Sequence, residues 1–412
     1  MNKQLDKFKN FVKNGTRTFT KNKKSEEDQN DIDRYKRRLI RRRKRLLKRI
    51  GVVAVLLVFL GIAVNLVLEK RVYHNYEVQA FLENEDTISN NYSELDGNVL
   101  KYGSEGASLI STETNVLWSE AYAMQDPASD ICNETAVVYN YKGSSMYIFS
   151  QKGLIGKVET SMPILKARVA TQGVVAAILE DGEKTWINFY ATDGSIIAEN
   201  QTRVDSPGYP MDIAVSPNGE LLMVAYVYVE GGTTTSYVAF YNFGDAGKNE
   251  IDNIVSGYTF EGVLAPQVAY LDGSTSLAYR EDGFTIFEGN EIPEETETIT
   301  VEEEVISTFY DDSHVGMVFK NEDESKQYRM QVYNVSGKLL FEKDFNIEYE
   351  NIKISNDMII MHNNSQVCLI SLKGVEKFNG TVDEGSIRNI FKTGGNQYML
   401  VTDKGISTIK FR

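Results

Sequence analysis

The chain has 412 residues and a formal net charge of −14 at pH 7, but its charges are separated along the sequence. Residues 1–50 hold 19 Lys and Arg against 6 Asp and Glu, a net +13, whereas residues 69–412 hold 25 against 52, a net −27. The acidic part argues against nucleic acid as its partner, and only two cysteines, Cys132 and Cys368, exclude a disulfide framework.

The first 33 residues are polar and charged, which predicts a disordered cytoplasmic tail. The alternative is a short helix that places Leu5, Phe8 and Val12 on the inner leaflet. Residues 34–49 follow as a basic juxtamembrane segment with eleven Lys and Arg in sixteen positions, a composition that suits anionic lipid. Its membrane-flanking side chains are Arg41, Arg42, Arg43, Lys44, Arg45, Lys48 and Arg49.

The apolar run Ile50–Leu68 carries no charge and one polar residue, Asn65. A helix needs about 20 such residues to cross a bilayer, so residues 50–68 are predicted to form a transmembrane helix. It is interpreted as an uncleaved signal-anchor; cleavage at Gly61-Ile-Ala63 and a buried soluble helix are the alternatives. Because Lys and Arg beside a span stay inside, the N-terminus is predicted to be cytoplasmic and residues 69–412 extracytoplasmic.

Residues 69–87 are predicted to be a stalk or an entry strand. From residue 88 onward, short runs of β-branched and aromatic residues alternate with Gly, Asn and Asp turns, which predicts an all-β fold. One unit recurs, in which a strand ends in a large apolar residue and a glycine follows four positions later. Its clear copies begin at Phe149, Tyr190, Tyr333 and Ile370, with looser copies at Tyr241 and Phe287.

A period of about 40–50 residues with four short strands is typical of propeller blades. Eight units are predicted, at residues 88–122, 128–160, 164–203, 209–256, 262–301, 303–347, 349–381 and 386–412; seven blades are the alternative. The last unit has room for three strands, and Tyr76–Asp86 could supply its fourth and close the ring. Cys132 and Cys368 fall in units two and seven, too far apart to bridge, so both are predicted to be free thiols.

Two segments carry a family resemblance. Ala214–Ala225 resembles the inner hairpin of WD40-like and TolB-like blades, and Ser111–Trp118 is similar to the strand-turn-strand of quinoprotein-type blades, with Asn115 where that motif has glycine. With its basic tail and apolar span, the chain resembles an uncharacterised bacterial family of single-pass membrane-anchored propellers. The Trp-Asp dipeptide of WD40 proteins is absent, and the quinoprotein pattern occurs once, so a quinone cofactor is not implied.

No catalytic, cofactor or metal motif stands out. His74, His314 and His362 are far apart in sequence and form no zinc pattern. There is no nucleophile elbow, Walker loop or dinucleotide fingerprint. Residues 291–304 hold seven acids, which predicts a solvated outer strand, with a cation site as the alternative. The sequence therefore predicts no enzyme activity, no metal and no cofactor.

The mouth of the central channel is the one concave site that the fold offers by its geometry. Innermost strands are expected to begin near Lys166, Asp212, Gln267, Lys353 and Arg388, which makes these the candidate ligand-binding residues of the rim. The competing interpretation is that they are ordinary solvated turn residues.

The predicted function is a non-catalytic binding or scaffold module, anchored in the lipid bilayer, for an envelope protein or a cell-wall component. One alternative is binding of a small molecule or glycan in the channel, with or without hydrolysis. Another is that the basic segment binds anionic lipid or nucleic acid while the propeller acts as a sensor.

Overall fold

The computed structural model describes residues 34–38, 44, 48–59, 61, 69–83, 89–182, 184–202, 207–321 and 326–412. Residues 72–412 form one compact unit, and the described residues before Val72 belong to a separate one. Within the described part of the chain, 32 strands form eight antiparallel four-stranded sheets. The predicted all-β propeller of eight blades is therefore confirmed, and the seven-blade alternative is wrong.

The strands are numbered in chain order. They are β1 (Tyr76–Glu83), β2 (Asn90–Leu95), β3 (Asn98–Gly103), β4 (Gly106–Ile110), β5 (Val116–Ala121), β6 (Pro127–Cys132), β7 (Thr135–Asn140), β8 (Ser145–Ser150), β9 (Gly153–Glu159), β10 (Ile164–Val169), β11 (Val175–Asp181), β12 (Lys184–Tyr190), β13 (Ile196–Thr202), β14 (Tyr209–Val215), β15 (Leu221–Glu230), β16 (Thr233–Asn242), β17 (Ile254–Glu261), β18 (Gln267–Tyr270), β19 (Thr275–Arg280), β20 (Gly283–Glu288), β21 (Glu294–Thr300), β22 (Val305–Tyr310), β23 (His314–Lys320), β24 (Tyr328–Asn334), β25 (Leu339–Phe345), β26 (Asn351–Ser355), β27 (Met358–His362), β28 (Gln366–Ser371), β29 (Glu376–Thr381), β30 (Ile387–Gly394), β31 (Gln397–Thr402) and β32 (Gly405–Phe411).

Blades 1 to 7 each take four consecutive strands, beginning with β2–β5 and ending with β26–β29. Blade 8 combines β30, β31 and β32 with β1, which pairs with β32 from Tyr76↔Phe411 to Glu83↔Gly405. The strand expected from Tyr76–Asp86 is thus present as β1. It closes the ring, because the two ends of the propeller meet in one sheet and leave no unpaired edge on β32.

Glycines of the recurring unit lie in the turns between neighbouring strands. Gly194 and Gly337 occupy the turns between the third and fourth strands of blades 3 and 6, with φ of 83° and 67°. A positive φ is accessible to glycine at little cost, whereas most side chains disfavour it. The repeat therefore encodes a hairpin turn, not a ligand contact.

The core is divided among the blade interfaces. One cluster joins Val137, Ile148 and Val158 of blade 2 to Val169 and Leu179 of blade 3, and similar clusters follow around the ring. Among the described residues, the faces between neighbouring blades are buried over most of their area, which explains why the second and third strands of most blades are almost continuously apolar.

Trp118, in the quinoprotein-like segment, packs between two neighbouring blades. It stacks on Phe149 of blade 2 at 5.1 Å between ring centroids and donates its indole N–H to the carbonyl of Gln151 at 3.0 Å. This residue therefore joins blade 1 to blade 2.

Blade 4 differs most from its predicted bounds. The unit was expected to end at residue 256, but β17 continues to Glu261. The reason is the connection from β16 to β17, which contains two short 3-10 helices, Gly247–Asn249 and Ile251–Asn253, and delays the fourth strand. Blade 5 consequently begins with β18 at Gln267, not at residue 262.

The acidic stretch in blade 5 includes the outermost strand of its sheet, β21, whose side chains are exposed except for the half-buried Ile299. The prediction of a solvated outer strand is confirmed. Cys132 and Cys368 are both unpaired, as predicted, and burial raises the pKa of the Cys368 thiol to about 12.

The N-terminal predictions are only partly covered. Residues 1–33, 39–43, 45–47, 60, 62–68 and 84–88 lie outside the described residues, and with them Arg41, Arg42, Arg43 and Arg45. Lys44, Lys48 and Arg49 are exposed residues in helical conformation. Within the described ranges, no helix has the length and apolar composition needed to cross a membrane.

Candidate functional site

The central channel is lined by the first strand of each blade: β2, β6, β10, β14, β18, β22, β26 and β30. Contacts between these strands, such as β6 with β10 and β10 with β14, run from one blade to the next around the axis. Side chains of the first strands therefore converge on the channel, and this is where the predicted rim residues lie.

A cluster of four charged side chains spans blades 2, 3 and 4. Arg168 lies at its centre and donates to Asp130 at 2.9 Å, to Asp212 at 3.2 Å and to the carbonyl of Ile213 at 3.0 Å. Lys166 donates to the same oxygen of Asp212 at 2.8 Å. Two cations thus meet two carboxylates, so the cluster is electrically balanced within itself.

Asp212 is the most buried member, with a side chain 1% exposed. Besides Lys166 and Arg168, it accepts the backbone N–H of Val268 in blade 5 at 3.0 Å. Asp130 similarly accepts the N–H of Val169 at 2.9 Å, and burial raises the pKa of Asp130 against the opposing effect of Arg168. The carboxylates therefore tie four consecutive blades together.

Hydrogen bonds continue this pattern around the rest of the channel. Each joins the first strands of neighbouring blades, or a residue next to them: Thr308 to Gln267 at 2.9 Å, Tyr349 to Ser307 at 2.8 Å, Lys353 to Asn389 at 2.6 Å, Asn389 to the carbonyl of Tyr92 at 3.0 Å, and Ser93 with Ser129 at 3.2 Å. We call this set, with the charged cluster, the polar girdle. It links every pair of neighbouring blades.

The five predicted rim residues thus have different surroundings. Lys166 and Asp212 contact each other, Gln267 accepts from Thr308, and Lys353 pairs with Asn389. Arg388 is exposed and forms no ion pair with another described residue. Sequence reasoning missed Arg168, although it lies two residues after Lys166 and must face the same side of the strand.

Lys353 has an unusual environment for an amine. It is half-buried on β26, and its Nζ lies 3.7 Å from the centroid of the Phe391 ring. Burial lowers the pKa of Lys353 to about 7, although the nearby Glu94 opposes this shift. The same surroundings keep His362 neutral, because burial and Lys353 lower the pKa of that imidazole to about 4.

The lowered pKa of Lys353 predicts a pH-dependent stability. Above pH 7 the folded chain binds fewer protons than the unfolded chain, whose lysine titrates near 10.4, so this residue makes stability rise with pH from about 7 to 10. The substitution Lys353→Met removes this titrating amine. We therefore expect the stability of the variant, measured relative to that of the wild type, to be highest at pH 7 and to fall by pH 9.5. Urea unfolding midpoints measure it, with exposed Lys338→Met as control. A gap independent of pH would contradict the assignment.

A second concave site was not predicted from the sequence. It is a cleft of about 800 Å³ between blades 3 and 4, lined among others by Asn200, Tyr228, Glu230, Tyr237 and Asp252. A smaller chamber of about 130 Å³ shares Asn200, Tyr241 and Asp252 with it. We call the two together the blade 3–4 cleft. Its volume falls in the range of ligand sites, about 300–1,000 Å³.

The cleft exists because blade 4 is longer than its neighbour. Strands β15 and β16 have ten residues each and pair along their whole length, whereas β11 and β12 have seven. Three additional residues extend the hairpin by about 10 Å. Part of the blade 4 face that looks toward blade 3 therefore extends beyond the described strands of blade 3.

Tyrosines dominate this face of blade 4. Tyr226 and Tyr241 are buried at the bottom with their hydroxyls 2.6 Å apart, and burial raises the pKa of Tyr241 to about 12. Tyr237 and Tyr228 are half-buried farther along the hairpin. Gly257 allows this arrangement, because a Cβ there would lie 2.1 Å from the Tyr237 hydroxyl.

The described residues that line the cleft carry charge of one sign. The carboxyl groups of Glu230 and Asp252 line it, and the described lining residues include no Lys, Arg or His; Arg203 lies outside the described residues. Asp252 adopts a left-handed backbone with φ of 56° and ψ of 22°, which is uncommon for a non-glycine residue. Such conformations cost free energy and cluster at functional sites.

One protein family matches the part of the chain that contains the propeller. The profile of DUF5711, a family of unknown function, matches residues 69–411. The chain belongs to this family. A search of curated proteins finds no significant match. The DUF5711 match begins just before β1, so the family unit contains the complete closed ring.

Solved structures with similar folds share little sequence with this DUF5711 protein. BamB from Moraxella catarrhalis is 12% identical, with a TM-score of 0.50, covering 82% of this chain and all of BamB. Hydrazine synthase of Kuenenia stuttgartiensis is 12% identical with a TM-score of 0.44, covering 69% and 98% of the two chains. Hsv2 of Kluyveromyces lactis is 11% identical with a TM-score of 0.44, covering 72% and 98%. At this identity the similarity to BamB shows the propeller fold alone.

Proposed function

We propose that this protein is a single-pass membrane protein that presents its propeller outside the cytoplasm and binds an envelope protein or a cell-wall component without catalysing a reaction. The membrane part rests on residues 34–68, where a dense basic segment precedes nineteen residues without charge. The basic segment contacts the inner leaflet, and the lipid bilayer is thus the first partner.

The blade 3–4 cleft is the observation that carries the binding role. It combines a volume of about 800 Å³ with several tyrosines, and the ring of Tyr237 stacks on that of the buried Tyr226 at 6.3 Å between ring centroids. Tyrosine is enriched at recognition surfaces, because it offers a large rigid ring and a polar hydroxyl. A surface of this kind suits a macromolecular partner.

The polar girdle supports the absence of catalysis. A catalytic carboxylate or base needs access to a substrate proton. The carboxylate oxygens of Asp130 and Asp212 instead accept hydrogen bonds from Arg168, Lys166 and backbone N–H groups. These two carboxylates connect neighbouring blades through ion pairs and hydrogen bonds. The chemistry of this charged cluster is therefore that of a structural element.

Cross-linking on intact cells tests the proposal. The full-length chain, tagged and cross-linked before lysis, is expected to retain one envelope component reproducibly. The matched control keeps residues 1–71 and carries an unrelated eight-bladed propeller in place of residues 72–412. Equal recovery of the same components by both chains would contradict a binding role for this propeller.

Binding of a small molecule or glycan in the channel is the second candidate. It is favoured by Arg388, which is exposed on the first strand of blade 8 and unpaired among the described residues, close in sequence to Asn389 and its partner Lys353. Thermal shifts with envelope glycans that disappear in Arg388→Ala would support it, and shifts that persist in this variant would reject it.

A further inference from the structure

We infer that the blade 3–4 cleft binds an extended basic segment of a protein partner, through arginine or lysine side chains held by Glu230 and Asp252. This inference rests on the proposed binding function and specifies the chemistry of the partner. It is carried by the shape of the cleft, by the one sign of its charge and by the aromatic wall between the two carboxylates.

The two carboxylates lie at opposite ends of the cleft. Glu230 is the last residue of β15 and pairs with Thr233. Asp252 lies two residues before Ile254, which pairs with Tyr241. Tyr241 in turn pairs with Leu222, so Asp252 lies near the Leu222 end of β15. The nine residues from Leu222 to Glu230 span about 25 Å in a strand. An occupant that reaches both ends is therefore elongated, with a length of about seven or eight extended residues.

Neither carboxylate is neutralised within the described part of the chain. Glu230 and Asp252 are exposed and form no ion pair there, although Lys248 lies nearby and is bound to Asp245 at 2.5 Å. The tyrosine hydroxyls add no charge at neutral pH, because burial raises the pKa of Tyr226 and Tyr241 well above their usual values. Among the described lining residues, the cleft thus presents negative charge alone.

The wall between the carboxylates suits the same ligand. Tyr228 and Tyr237 are half-buried and line the cleft. A guanidinium or ammonium group is attracted to the face of an aromatic ring, and a guanidinium also forms paired hydrogen bonds with a carboxylate. Asn200 and Gln201 on β13 form the opposite side and offer amide groups to a peptide backbone. A neutral glycan would use the rings and amides but would gain nothing from the two charges.

The test uses the purified full-length chain and a fluorescent peptide of nine arginines, followed by anisotropy at 150 mM salt. The double variant Glu230→Gln/Asp252→Asn is expected to weaken binding at least tenfold. Asn suits the left-handed conformation at residue 252, so the fold is retained. The control Glu294→Gln/Glu297→Gln removes the same charge from the exposed β21 and is expected to change binding less than twofold.

Equal weakening by the two double variants would show diffuse attraction to an acidic protein and overturn the site. Binding of a neutral wall glycan that Tyr228→Ala abolishes, without arginine binding, would overturn the ligand class. If a partner is captured on cells and the Glu230→Gln/Asp252→Asn chain still retains it, only this inference fails. If no partner is captured while the peptide binds as expected, the proposed cellular function fails and the site remains.

Discussion

A chain that begins at residue 84 is expected to lose its cooperative fold, whereas a chain that begins at residue 69 keeps it. The difference is β1, which pairs with β32 and closes blade 8. The removed segment also carries Tyr73 and Tyr76, whose rings lie 6.4 and 6.3 Å from the centroid of Phe411. Its loss exposes an apolar edge strand in a fold whose net stability is only about 5–15 kcal/mol.

Size-exclusion chromatography and thermal unfolding followed by circular dichroism measure this effect. The chain from residue 69 is expected to be monomeric with one sharp transition, and the chain from residue 84 to aggregate or to melt without a clear transition. A monomeric chain from residue 84 that melts within a few degrees of the longer one would show that β1 is dispensable for closure.

Asp212→Asn is expected to destabilise the propeller by about 3–5 kcal/mol, the usual cost of breaking a buried ion pair from one side. The substitution keeps the shape of the side chain but removes the charge that balances Lys166 and Arg168. It also replaces one acceptor of the Val268 N–H by an amide. The interactions through which Asp212 connects blade 4 to blades 3 and 5 would therefore weaken at the same time.

Urea unfolding of the full-length chain measures the loss. Asp126→Asn is the matched control, because Asp126 is exposed just before β6, and its unfolding midpoint is expected to stay within error of the wild type. A midpoint for Asp212→Asn equal to that of the control would show that the charged cluster does not stabilise the ring.

The blades were predictable because their signals are local. Turn residues such as Gly194 and Gly337 are set by backbone conformation, and they recur with the period of the fold. The pairing of Lys166 with Asp212 follows from the same period, since they occupy neighbouring first strands 46 positions apart. Arg168 could have been added by strand alternation.

The blade 3–4 cleft could not be predicted in this way. It depends on a difference in length between β15–β16 and β11–β12, and on two short 3-10 helices that interrupt the approach to β17. Both are properties of one blade compared with its neighbour, whereas the repeat reports what blades have in common. Departures from a repeat are therefore informative about function in propellers.

Protease accessibility on intact cells, with a tag at each end of the chain, tests most directly whether the propeller works outside the cytoplasm. The proposed topology predicts that the C-terminal tag after Arg412 is digested while the N-terminal tag survives until the membrane is permeabilised. Digestion of neither tag in intact cells and in spheroplasts, followed by loss of both on lysis, would place the propeller in the cytoplasm and contradict the account.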